Sequence, residues 1–161
     1  MPRRHRIAAT VGLSAWFSLS AVAFASNPAK SSKFKGTASG SVTFATTFTA
    51  KDPLTFKTSR SGKEVLSFAY TDTVCDLAAS GHVAVGTIKV SGGKFSLSGH
   101  KSAPVADSLQ DGGTVVTTTS VKGTFVSPRS VSGTLEYRQK QSGTPGASCG
   151  PIKLSFKAAT A

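Results

Sequence analysis

Hydrophobic and polar side chains alternate with a period of two through almost all of the chain after Lys33. Val42, Phe44, Thr46 and Phe48 share one parity, and Thr43, Ala45, Thr47 and Thr49 share the other. Leu54, Phe56 and Thr58 continue the pattern after Pro53, and Leu66, Phe68 and Tyr70 resume it after Ser61-Gly62-Lys63. Val83 and Val85 occupy odd positions and Ile88 and Val90 even ones, so the phase slips at Gly86, where an extra residue in a β-bulge is expected. Ser91-Gly92-Gly93 reads as a tight hairpin into Phe95 and Leu97, because consecutive glycines accept the positive φ such turns need. Val115, Thr117, Thr119, Val121, Gly123 and Phe125 form the longest single-parity run. After a turn at Ser127-Pro128-Arg129-Ser130, Val131, Gly133, Leu135 and Tyr137 return on one face. Ile152, Leu154, Phe156 and Ala158 make the last strand.

No window beyond the first 25 residues carries a convincing helical stripe, and helix is confined to that leader and a turn near Cys75–Ser80. The pattern predicts an all-β fold of eight or nine short antiparallel strands, each with one dry face. A two-sheet β-sandwich covers those faces, and a closed β-barrel is the alternative. The loops 59–63, 99–113 and 139–148 collect Gly, Ser, Pro and charge, and the longest, Gly99 to Gly113, is the candidate functional loop.

The leader changes the picture of where this fold works. Arg3, Arg4 and Arg6 precede an uncharged run, Ile7 to Phe24, which ends in two overlapping Ala-x-Ala sites. Residues 1–25 therefore read as a signal peptide, residues 26–33 as a flexible mature start, and residues 34–161 as a single β-sandwich domain. Arg3-Arg4 brings in the twin-arginine route beside the general one. After cleavage no transmembrane span is expected, and the location is secreted, periplasmic or cell-envelope. In an exported chain the two cysteines, Cys75 and Cys149, read as one disulfide, with two free thiols as the alternative.

Val121-Lys122-Gly123-Thr124-Phe125, Val131-Ser132-Gly133-Thr134-Leu135, Cys149 and the terminal Ile152-Lys153-Leu154-Ser155-Phe156-Lys157-Ala158 together resemble small exported bacterial β-proteins of uncharacterised function. Those share a G-x-F hairpin, an x-G-x-L return strand and a Cys ahead of an aromatic-x-Ala C-terminal strand. The resemblance covers about the last half of the chain. It implies the sandwich and the disulfide and carries over no catalytic residue; Phe156 stands where Trp is more usual.

Catalytic signatures are sparse. There is no G-x-S-x-G elbow, and neither Gly62-Lys63 nor Gly93-Lys94 continues into a phosphate-binding loop. Ser32-Lys33-Phe34-Lys35 matches S-x-x-K by letter alone. Glu64 and Glu136 are the one glutamate pair available to a glycan hydrolase. Asp107 and Asp111-Gly112-Gly113 lack the spacing of a calcium loop. His82 and His100 could meet across the 91–93 turn, and a copper or zinc site there would want a third ligand such as Asp107 or Asp76; exposed turn histidines are the simpler reading. No catalytic residue, metal or cofactor is expected.

Charge carries more. The chain has 19 Lys and Arg against seven Asp and Glu, a formal net charge of +12. Loss of the leader removes three arginines and no acid, leaving +9. Lys51, Lys57, Arg60 and Lys63 around one turn, and Arg138, Lys140, Lys153 and Lys157 near the C-terminal strands, are the candidate polyanion-binding residues. For an exported chain the polyanion at hand is an anionic cell-envelope polymer. Specific single-stranded nucleic acid is not expected, since stacking needs interleaved exposed aromatics and Tyr70 and Tyr137 are the two expected to be exposed, the phenylalanines falling on core parity. The expectation is thus a non-enzymatic module with a structural or binding role. A small secreted hydrolase and an apolar-ligand β-protein, the latter from the Phe-rich inner parity, are the alternatives.

Overall fold

The structure, a computed structural model, describes residues 25–75, 77, 81–103, 105–106, 113–142 and 146–161. The expected signal peptide (but for Ala25), most of the expected turn at Cys75–Ser80, and Asp107 and Asp111-Gly112 lie outside these residues. Nine strands follow in order: β1 Lys33–Thr43, β2 Thr47–Thr58, β3 Glu64–Thr71, β4 His82–Ser91, β5 Lys94–Lys101, β6 Val105–Ala106, β7 Thr114–Ser127, β8 Ser130–Gln141 and β9 Ser148–Thr160. No helix occurs among the described residues.

All pairings are antiparallel, and they form one sheet, β5-β4-β3-β2-β1-β9-β8-β7-β6, in which β5 also pairs with β7. The eight long strands therefore close into a ring. The expected sandwich of two sheets gives way to a barrel: β9 pairs with β1 and β5 with β7, so the sheet curls over its own dry face. Alternation could not separate the two, because both architectures need one dry face per strand. The β4–β5 ladder holds only Val90↔Phe95 and Ser91↔Lys94, beside the predicted turn, where Gly92 and Gly93 both have positive φ.

Parity holds along most of the ring. On β7, Val115, Thr117, Thr119, Val121, Gly123 and Phe125 all face inward, and β8 and β9 follow the expected faces. Gly86 has φ +93°, and the β3–β4 register shifts there as expected. Two elements differ. The run from Val42 to Phe48 is not one strand: residues 44–46 turn the chain between β1 and β2, leaving Phe44 and Phe48 exposed at the hairpin tip. In β3, Ser67 has φ +52° and the register against β2 shifts, so Val65 points inward in place of Leu66.

Six phenylalanines, one each from β1, β2, β3, β5, β7 and β9, fill one half of the interior. Phe34 stacks on Phe56 with centroids 4.8 Å apart, Phe56 on Phe68 at 5.7 Å, and Phe125 and Phe95 meet at 5.8 Å. An eight-stranded barrel is just wide enough to be filled this way. Gly123 and Gly133 face each other across β7 and β8, and the rings of Phe95 and Phe156 lie where their side chains would be. A methyl group at Gly133 would meet the Lys122 carbonyl as well as the Phe156 ring, at 2.6 Å from the latter. Gly133→Ala should cost about 2 kcal/mol through overpacking, read as a lower urea midpoint with an unchanged slope.

The two ends of the barrel differ. One carries the short hairpins at 59–63, 92–93 and 128–129 and is crossed by the segment before β1. Of residues 26–33, expected as a flexible start, Lys33 opens β1 and the rest are tied to the barrel: Ser26 N donates to Phe125 O at 2.7 Å, Ala29 N to Pro128 O at 2.7 Å, and Thr58 N to Ser32 O at 2.9 Å. The opposite end carries the longer connections 72–81, 102–113 and 142–147. The disulfide, Cys75–Cys149 with Cα atoms 5.6 Å apart, ties the first of these to the start of β9.

Candidate functional site

Polar residues occupy the half of the interior nearest the longer connections. Asp52 is the inward residue of β2 two places from Leu54, and Asp72 directly follows β3 beside it. Tyr137 reaches across from β8 and its hydroxyl lies 2.6 Å from Asp52 Oδ2 and 2.8 Å from Asp72 Oδ1. Asp52 Oδ1 also accepts from Thr73 N and Oγ1, at 3.0 and 2.6 Å. Asp72 Oδ1 accepts from Val74 N and Cys75 N, both at 2.8 Å, an Asx turn that seats the disulfide. Tyr70 is linked to Thr119 at 2.9 Å and lies 5.1 Å from the Tyr137 ring. Gln139 is buried on the same face of β8, and its amide has no hydrogen-bond partner among the described residues.

Burial pushes the Asp72 carboxyl up, and the nearby Asp52 charge adds to that. Burial likewise pushes both tyrosine hydroxyls far up, so they remain protonated donors. With no exposed surface on Asp52, this cluster braces opposite walls of the barrel. It reverses two expectations: both tyrosines are interior, and the exposed aromatics are Phe44 and Phe48. Glu64 and Glu136 stand on β3 and β8, four strands apart in either direction around the ring, so the glutamate pair is not brought together. His82 and His100 sit at the ends of β4 and β5 farthest from their shared turn, and no group of three His, Cys, Asp or Glu able to hold a metal occurs among the described residues.

The outer wall is where charge collects. Alternation sends every lysine of β1, β2 and β9 outward, and all sixteen Lys and Arg after residue 25 are exposed. Of the four acids among the described residues, Asp52 and Asp72 are inside, leaving Glu64 and Glu136 on the surface. Six of the eight candidate residues divide between two regions. Lys57 lies directly across from Lys33, and with Arg60, Lys63 and Lys157 it occupies the end carrying short hairpins. Arg138 and Lys140 lie on β8 near the other end. Lys153 pairs with Glu136 at 3.7 Å, and Lys51 stands on β2 across from Ser39.

Beside Arg138 the wall is indented. Tyr137 pairs with Ile152 but Gln139 with Cys149, so β9 carries one extra residue at Gly150-Pro151, where Gly150 has φ +97°. Such a bulge bends its strand away from its neighbour. The resulting cavity of about 660 Å³ is lined by Lys101, Arg138, Lys140, Thr118, Ser148 and Pro151, among others. Pro151 also borders a 270 Å³ cavity with Ser120 and Glu136, and a 420 Å³ cavity with Phe44 and Lys153. Sequence reading found Arg138, Lys140 and Lys153 by charge. It missed Lys101, and it missed the bulge, for which Gly150-Pro151 within a strand was the available signal.

Comparison with protein-family models, with curated proteins and with solved structures finds no match to this chain.

Proposed function

We propose that this chain is an exported, non-enzymatic binding module that engages an anionic polymer of the cell envelope through the outer wall of its barrel. The observation that carries the reading is the sorting of charge: sixteen exposed cations against two surface glutamates among the described residues, with two aspartates spent on the interior. The field outside the barrel is accordingly positive, and such a field draws polyanions from a distance. The disulfide and the absence, among the described residues, of a helix long and apolar enough to cross a membrane are compatible with work outside the cytoplasm. The inner phenylalanines, which first invited an apolar ligand, are occupied with one another.

The test is a titration with purified anionic wall polymer and with heparin. Binding should weaken steeply as salt rises from about 0.01 M to about 0.1 M, over which the screening length falls from roughly 30 to roughly 10 Å. Absent binding, or binding indifferent to salt, would discard the reading.

A further inference from the structure

The geometry points to the groove over the β9 bulge as the seat of an anionic glycan, its charged groups over Lys101, Arg138 and Lys140 and a sugar ring against Phe44. This rests on the polyanion reading and adds to it a site and a polymer class.

Three features select this groove from the rest of the basic wall. The first is shape. Arg138 and Lys140 border an indentation at the extra residue Gly150-Pro151; Lys35 and Lys157 border another cavity of about 560 Å³ and Lys89, Lys94 and Lys122 one of about 550 Å³, but among the described residues neither of those is lined by an arginine. The cavity beside Arg138, at 660 Å³, lies within the range of sites that enclose small ligands, about 300–1,000 Å³. The second is charge. Among the described residues, the lining of that cavity contains three cations and no acid. The nearest glutamate, Glu136, lies in the adjoining cavity and is engaged by Lys153. The planar fork of Arg138 suits a carboxylate or sulfate, which it can grip with two parallel bonds.

The third feature separates a glycan from a bare polyanion. Hydroxyls line the same cavity, from Thr114, Thr118, Ser142 and Ser148, and they both donate and accept, as sugar hydroxyls do. Beyond Pro151 the groove continues into the 420 Å³ cavity bordered by Phe44. Phe44 is 53% exposed and Phe48 40%, with ring centroids 6.2 Å apart. The other eight phenylalanines include six packed in the core, so two uncovered rings on one hairpin tip, next to cations, are the exception in this chain. An apolar ring face is what the C–H face of a sugar can rest on. Single-stranded nucleic acid would require several interleaved rings along the groove, and one cavity here is bordered by a single ring.

The experiment compares two ligands and three variants of the whole exported chain by calorimetric titration. The ligands are a heparin-derived hexasaccharide and inorganic polyphosphate of matched charge, which has no rings. The variants are Arg138→Gln/Lys140→Gln in the groove, Lys33→Gln/Lys57→Gln on the β1–β2 wall with the same loss of charge, and Phe44→Ser. All five side chains are exposed, so each variant should keep the parent melting temperature. The groove variant should bind the hexasaccharide about tenfold or more weakly, corresponding to about one charge-assisted contact, and the wall variant less than about threefold. Phe44→Ser should weaken the hexasaccharide alone. If both double variants weaken binding equally, charge without a site explains it, and the groove is refuted while the polyanion reading stands. If Phe44→Ser leaves the hexasaccharide unaffected, or polyphosphate binds as well as the hexasaccharide, the glycan assignment fails. If the parent binds neither ligand, the underlying reading fails with it.

Discussion

Replacing Cys75 and Cys149 together by alanine should lower the stability of the chain by about 4 kcal/mol, the value chain entropy gives for a loop of this length. The bridge spans 74 positions in sequence, and freeing it restores to the unfolded chain the conformations that a closed loop denies. For a barrel of this size that corresponds to a fall in melting temperature of roughly 10–15 °C. The native state also contributes. Cys75 is buried, and its backbone N–H is held by Asp72, so the bridge fixes the turn after β3 against the first residues of β9. Scanning calorimetry of the double variant, and of the parent with reductant, measures the effect. Hydrogen exchange locates it: amides of Val74 and Cys75 should lose protection first, while those of the Phe-filled half should exchange only on global unfolding. An unchanged melting temperature after verified reduction would show that the loop is held by its hydrogen bonds alone.

Strand identity was largely legible because each wall of a barrel has one face against the core and one against water, and that difference is written at every second residue. β7, β8 and β9 are the clear cases, with uninterrupted parity from Val115 to Phe125 and from Ile152 to Ala158. Closure was not legible. Whether β9 meets β1 in the same sheet depends on contacts between residues such as Ala38 and Phe156, more than a hundred positions apart, and no local pattern encodes them. The β1–β2 hairpin escaped notice because Phe44-Ala45-Thr46 contains neither Gly nor Pro and keeps the alternation through the turn. Asp52 escaped because the alternation was followed only from Leu54, after Pro53; Pro53 lies within β2, facing outward across from Thr37, which puts its neighbour inside. The cations of the outer wall were found by composition alone. Their division between a flat face and a groove depended on one inserted residue at Gly150-Pro151, whose effect exists only once β8 and β9 are aligned.

The second large effect should follow from removing a single oxygen. Tyr137→Phe takes away the hydroxyl that both interior carboxylates share, and about 2–4 kcal/mol should be lost, since a buried charged acceptor is left short of a donor. Tyr70→Phe is the control: its hydroxyl meets only the neutral Thr119, and the loss should be about 1 kcal/mol. Comparable losses in the two variants would show that the carboxylates gain little from Tyr137. The same geometry gives a pH dependence with a definite sign. Burial raises the Asp72 carboxyl above its unfolded value, so the folded chain holds a proton that the unfolded chain has released. Stability from this group is therefore greatest at acid pH and declines as pH rises from the ordinary carboxylate range through the folded value. Among the described residues the groups facing Asp72 are Tyr137, Tyr70, Asp52 and the Val74 and Cys75 amides, and Asp52 is the one among them that adds negative charge. Asp72→Asn tests the sign, because its side-chain carbonyl can still accept from both amides while the ionisable oxygen is gone. Urea midpoints measured across pH 4 to 8, a range of roughly four units above the usual carboxylate value, should fall in the parent and stay flatter in Asp72→Asn. A parent slope retained in full by Asp72→Asn would assign the titration to a different group and remove Asp72 from the account.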